Sequence, residues 1–162
     1  MINNSRLREL LHYDPDTGLF TRKTNRGGCK VNSRVGTANA DGYLMVELDF
    51  RAYSLHRLAW FYVTKKWPEH EIDHINGDRA DNRLVNLREA THLQNSRNQG
   101  LRKSNKSGVK GVSWEGRRGK WRASAMVGGK KIHLGYFDDK CLAETAAREF
   151  RSVNDGEFQN HG

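Results

Sequence analysis

Residues 96–108, SRNQGLRKSNKSG, mix Ser, Asn, Gly, Arg and Lys with no apolar periodicity, so they read as a basic linker that no core can absorb. The chain of 162 residues is thereby divided into an N-terminal unit, 1–95, and a C-terminal unit, 109–162. Units of that size build small, thin cores, and the 15 aromatic residues must supply much of the buried area.

Charge follows the same division. Residues 1–95 carry 14 Lys and Arg against 12 Asp and Glu, and residues 121–162 carry 6 against 6. Residues 96–120 carry 8 against 1, so most of the net +9 sits in one short stretch. That is the footprint of a polyanion-binding surface or of a solvated linker. Cys29 and Cys141 lie far apart, and neither belongs to a Cys-x-x-Cys pair, which removes the zinc ribbon and the disulfide framework and fits a reducing cytoplasm. No run approaches a membrane span or a signal peptide, so a cytoplasmic protein without membrane partners is expected.

In the first unit, NNSRLRELLHYD predicts a short helix and Asp14-Pro15-Asp16-Thr17-Gly18 a turn. Residues 43–50 alternate, placing Leu44, Val46, Leu48 and Phe50 on one face of a half-buried strand, and a second strand follows near Tyr53. HRLAWFYVTKKW predicts a helix that must stop at Trp67-Pro68. In the second unit, Trp121, Ala123, Ala125 and Val127 alternate with Lys120, Arg122, Ser124 and Met126. Gly128-Gly129 turns the chain into a strand with Ile132, Leu134 and Tyr136 inward, and 109–114 is a third strand. KCLAETAAREFRSVN then places Leu142, Ala146, Phe150 and Val153 on one helical stripe. The expected class is α+β: a mixed unit of small sheets and helices followed by a three-stranded antiparallel sheet packed on one helix.

The segment with chemistry in it is EIDHINGDRADNRLVNLREATHLQN, residues 71–95, which reads as strand, loop, strand and helix, with Thr91 as the N-cap. Asp73 lies in the first strand and Asn95 in the helix, so folding back can bring their oxygens to one point. Phosphodiester hydrolysis needs on the order of 20 kcal/mol of barrier reduction, beyond what a general base alone provides. A divalent cation with hard oxygen ligands supplies the difference, which suits Mg2+ or Mn2+, with Zn2+ the poorer fit. His74 is the natural base for the attacking water. Neighbours on a strand face opposite ways, so Asp73 and His74 reach one phosphate only if the strand breaks at the Asn76-Gly77-Asp78 turn.

IDHINGDRADNRLVNLREAT, preceded by LHRLAW at 55–60 and by LLHYDPDTGLFTRK and DGYLMVEL, resembles the phage-type HNH endonucleases with the ββα-metal fold over nearly all of residues 1–98. The resemblance implies a metal-binding Asp73, a general base in His74, a loop-bracing Asn86 and a terminal metal ligand in Asn95. His56 would either contact the scissile phosphate or pack at its helix start.

Residues 107–150, carrying KGV, GKWRA, HLGYF and an Ala-rich helix, resemble the Apetala-two/ethylene-response-factor DNA-binding domain, in which the sheet enters the major groove. That resemblance implies DNA contacts from Lys110, Ser113, Arg117, Arg118, Lys120, Arg122, Ser124, Lys131 and His133, and the block of positive charge predicts that Arg97, Arg102, Lys103 and Lys106 of the linker follow the backbone. Together these features predict a metal-dependent, homing-like endonuclease, a monomer or weak dimer. It acts on double-stranded DNA, by nicking or by double-strand cleavage, in the host cytoplasm if phage-encoded. The alternative from another class is a non-catalytic DNA-binding regulator that keeps an HNH-like scaffold.

Overall fold

The computed structural model describes residues 1–25, 27–101 and 104–154. The chain forms two compact units, Met1–His92 and Leu93–Gly162, dividing ahead of the sequence-based boundary at residue 95.

The first unit opens with α1 (Asn4–Leu10), whose first turn is capped by the Asn3 side chain accepting from the Arg6 N–H at 2.8 Å. β1 (Leu11–Asp14) and β2 (Leu19–Arg22) form an antiparallel hairpin, and β3 (Arg34–Val35) pairs with β2. The Asp14 carboxylate shapes the turn between them by accepting from the Asp16 N–H and the Thr17 hydroxyl, which holds its acid form down. A second sheet contains β4 (Thr37–Ala38), β5 (Leu44–Leu48) and β6 (Arg51–Ser54) in that order. It leads into α2 (Leu55–Thr64), which ends with Lys65 at φ +60° ahead of Pro68. Leu7, Leu11, Phe20, Leu48, Leu55 and Leu58 are fully buried and share one core with Phe61, Ile72 and Leu87. β7 (Glu71–His74) and β8 (Leu87–Ala90) make the last hairpin, with a 3-10 turn at Leu84–Asn86 between them.

The alternation read for residues 43–50 holds for Val46 and Leu48, which are buried, and fails at Phe50. The strand stops at Leu48, because Leu48 pairs with Arg51 across a two-residue turn made by Asp49 and Phe50. Phe50 is 90% exposed at the tip of that turn.

α3 (His92–Asn98) begins on the last residue of the first unit and runs into the second. There β9 (Val112–Glu115), β10 (Lys120–Val127) and β11 (Lys130–Phe137) form an antiparallel sheet in the order β11-β10-β9, followed by α4 (Lys140–Asn154). The expected helix stripe is rotated by one residue. Ala143, Ala147 and Arg151 are buried, whereas Leu142 and Val153 are 59% and 84% exposed. Small side chains on the contact face let the helix lie close on Val112 and Ala123 of the sheet, and Ala146 and Phe150 flank the contact half-buried. The face of Tyr136 also differs from the simple alternation. The β10–β11 register slips between Ala123 and Ser124, so Tyr136 pairs with Arg122 and turns outward, and Phe137, beside Trp121, takes the inner place.

Candidate active site

β7 is buried on both faces: Ile72, Asp73 and His74 are each about 4% exposed. The strand continues through His74, with no break between it and Asp73, so the two side chains leave on opposite sides. Asp73 faces its cross-strand partner Arg88, whose Nε and Nη2 both lie 2.9 Å from Oδ2. His74 is directed toward the loop that follows, where its Nε2 meets Oδ1 of Asn82 at 3.2 Å. An amide oxygen only accepts, so Nε2 carries the proton and Nδ1 is the basic nitrogen. Burial pulls the His74 pKa below its usual value despite the opposing pull of Asn82 and of Asp73, so the ring is neutral at pH 7.

Three rings close over this position. His56, at the start of α2, lies edge-on to His74 with centroids 5.1 Å apart, and Tyr43 lies 5.0 Å from His56 and 5.9 Å from His74. His56 is 8% exposed, and burial, with His74 and Arg57 adding to it, pulls its pKa down to about 3. Its Nδ1 is buried without a hydrogen-bond partner. Arg79 stacks on Tyr43 at 4.8 Å and donates to the Asp41 carbonyl, which carries a guanidinium to the edge of the site.

The loop after β7 is held by its own polar side chains. Asn86 accepts from the Asn76 N–H at 3.0 Å and donates to Asn76 Oδ1 and to the Asp81 carbonyl, while its own carbonyl accepts from Ile75. Asp81, paired with Arg83 at 2.6 Å and bonded to Asn76, has its pKa held near 2. The N-terminal hairpin braces the same loop. The buried Tyr13 hydroxyl donates to the Asn82 carbonyl at 2.7 Å, and the Leu84 N–H donates to the Pro15 carbonyl. Gly18, at φ +72°, packs so tightly that a Cβ would run into the backbone of Asn82 and Arg83. A turn far away in sequence thereby fixes the residue that orients His74.

Asp73, His74, His56 and Asn86 thus gather around the β7–β8 hairpin, and Asn95 is half-buried on α3. Sequence reasoning missed Asn82, Tyr43, Arg88 and Arg79. Asn82 had the one visible clue, as the polar centre of ADNR in a stretch otherwise read as turn, but only the fold shows that it is 1% exposed.

In the second unit, Ser113, Arg117, Arg118, Lys131 and His133 are exposed, Lys120 and Arg122 are half-buried, and Lys106 is exposed before β9. On the outer face the Arg118 guanidinium lies 4.7 Å from the Tyr136 ring and the His133 ring 4.5 Å from it. Lys120 pairs with Asp138 at 3.0 Å. Three of the expected DNA contacts also bond within the unit. The Lys110 ammonium donates to the carbonyls of Arg97 and Gln99 at 2.7 Å each, and Ser124 is 8% exposed with Oγ 3.4 Å from the Gly111 carbonyl. The Arg97 guanidinium lies 3.5 Å from the Asn154 carbonyl. Arg102 and Lys103 lie outside the described residues.

Comparison with known proteins now decides the family. The HNH endonuclease family matches residues 53–97, the stretch from β6 through the β7–β8 hairpin into α3. Protein 3.8 of Escherichia phage T7 is 35% identical to this chain over 104 residues, spanning 64% of this chain and 84% of its relative. The chain belongs to the family of this phage protein and carries an HNH endonuclease domain at residues 53–97. No solved structure matches it.

HNH nucleases typically use a divalent metal, and a carboxylate oxygen such as that of Asp73 is the kind of hard donor such an ion takes. Among the described residues, no three His, Cys, Asp or Glu side chains gather as a cage, and the buried hard oxygen of Asp73 and the neutral imidazole of His74 leave β7 on opposite sides. Among those residues, no helix is long and apolar enough to cross a membrane.

Proposed function

We propose that this HNH protein is a metal-dependent endonuclease that hydrolyses phosphodiester bonds of double-stranded DNA in the cytoplasm of a phage-infected host. The observation that carries the reading is His74: buried, neutral, oriented by Asn82 and next in sequence to the Asp73 carboxylate. Its Nδ1 takes the proton of the attacking water. His56 and Tyr43 exclude bulk water from the ring, and the loop braced by Asn86 keeps the imidazole from swinging. Asp73 would hold the cation, Mg2+ or Mn2+, and the family resemblance assigns Asn95 as its further ligand. When bound, the cation neutralises the scissile phosphate and stabilises charge on the leaving oxygen.

The second unit would hold the duplex with the outer face of its sheet. Arg117, Arg118, Arg122, Lys131 and His133 are available there, and Tyr136 adds a flat surface among them. One observation favours the other reading, a non-catalytic DNA-binding regulator: Arg88 already neutralises Asp73.

Nicking of supercoiled plasmid divides the two. The enzyme nicks with Mg2+ or Mn2+ and stops with chelator, and His74→Ala lowers the rate by about 10²- to 10⁴-fold with DNA affinity kept. Plasmid left intact under both metals would establish the regulator, and loss of DNA binding in His74→Ala would remove its role as base.

A further inference from the structure

The β5–β6 hairpin turns on Asp49 and Phe50, both in the left-handed region at φ +46° and +61°. Two-residue hairpin turns of this primed kind favour Asn-Gly, Asp-Gly and Gly-Gly, because a Cβ is crowded at positive φ and a bulky side chain most of all. The molecule has the unstrained solution elsewhere. The β10–β11 turn makes the same connection with Gly128 and Gly129, at φ +55° and +78°. At the first tip a phenylalanine stands where glycine fits better, and its ring contributes nothing to the core, since it is 90% exposed. Strained backbone that persists without a packing reward points to a role outside the fold.

The tip is also held still. Arg6 of α1 reaches it with a two-pronged contact, Nε to Asp49 Oδ2 at 3.2 Å and Nη2 to Oδ1 at 3.4 Å. The residue on the other side of the ring, Arg51, is an exposed cation. An apolar side chain projecting from a braced turn and flanked by arginine matches what proteins use to pry apart stacked base pairs: the cation meets phosphate and the ring replaces the lost stacking. A protein partner would be served better by an apolar patch than by one ring between arginines.

We propose that Phe50 is a wedge that inserts between base pairs of duplex DNA and anchors the first unit on its substrate. The inference rests on the DNA-binding reading above, and the experiment separates failure of the one from failure of the other. Full-length protein is titrated into a short fluorescent duplex in chelator, and its thermal melting is followed in parallel. Phe50→Gly creates the favoured Asp-Gly turn, so the melting temperature holds or rises while Kd rises about tenfold. The dependence of log Kd on log salt keeps its slope, because no charge is lost. Phe50→Trp restores affinity. Wild type prefers a duplex with a single mismatch, which is cheaper to unstack, and Phe50→Gly loses that preference.

Equal affinity of wild type and Phe50→Gly for both duplexes overturns the wedge and leaves the DNA reading standing. No binding of duplex by wild type overturns both. A fall in melting temperature accompanying the lost affinity traces the effect to the fold and overturns the wedge, as does a change in self-association with DNA affinity unchanged.

Discussion

The two units solve the same small-domain problem in opposite ways. The first fills its interior with large side chains, Leu7, Leu11, Phe20, Leu48, Leu55 and Leu58, and with aromatic pairs such as Tyr13–Phe20 at 4.6 Å. The second closes a helix onto a sheet through Ala143, Ala147, Ala123, Val109 and Val112. Among the described residues, only the first unit also buries two histidines, an aspartate and two hydrogen-bonded asparagines at one place, a burden that a core of large apolar residues can offset. The difference separates two kinds of work: holding reactive groups in a dry, fixed geometry takes a deep core, and presenting a charged face takes only a stiff platform.

The largest test of this contrast is deletion of the ring at the centre of the deep core. Phe20 is fully buried between Tyr13 and Tyr62, so Phe20→Ala should cost the first unit about 3–5 kcal/mol. Amide hydrogen exchange followed segment by segment should show protection lost across β1, β2 and α2 and kept in β10 and α4. Equal loss in both units would mean that they unfold as one body and that the contrast does not divide their stability.

Acid should act on the same side. His56 has a folded pKa of about 3 against about 6.5 in an unfolded chain, so the unfolded state takes up a proton that the folded state refuses. Stability is therefore unaffected above pH 6.5 and falls as pH drops below it, until the folded state is itself protonated near pH 3. Between pH 7 and pH 4.5 this one group withdraws about 2–3 kcal/mol, and His74, shifted the same way, adds to it. The second unit buries no histidine among its described residues and should keep its structure longer. Denaturant titration of wild type and His56→Phe at both pH values checks this, since the variant should lose much of the acid sensitivity. Identical pH dependence of the two would show that His56 is not the group responsible.

How far each unit could be read from its sequence follows the same physics. Elements whose fate is local were legible: the α2 stop before Pro68, the Gly128-Gly129 turn, and the strand, loop and strand of 71–90. The residues of the site were visible as types, because Asp73, His74 and Asn86 stand at motif spacing. Their partners were not. Asn82 depends on Tyr13, 69 residues away, and on the neighbouring Gly18, and Tyr43 reaches His56 and His74 only once β5 and α2 are packed. Phe50 was misread because alternation does not reveal where a strand ends, and a Phe gives no warning of a turn. In α4, apolar periodicity favoured the stripe of larger residues, but close approach of helix to sheet selects the small ones.

The smallest expected effect sharpens the other half of the contrast. If the second unit is a platform, its exposed arginines should matter to binding and hardly at all to folding. Arg117 and Arg118 lie in the β9–β10 turn, both exposed, with Arg118 resting on Tyr136. Replacing both with serine should leave the melting temperature within the narrow range usual for surface substitutions. If each meets a phosphate, the slope of log Kd against log salt should become shallower by roughly 0.9 per lost contact, and affinity should fall in proportion at low salt. If Arg118 instead reads a base, its share of the loss should depend on the sequence of the duplex, whereas a phosphate contact weakens every sequence alike. An unchanged slope on every duplex would place the DNA-holding surface elsewhere and leave the alanine-packed sheet without the role that its thin core suits.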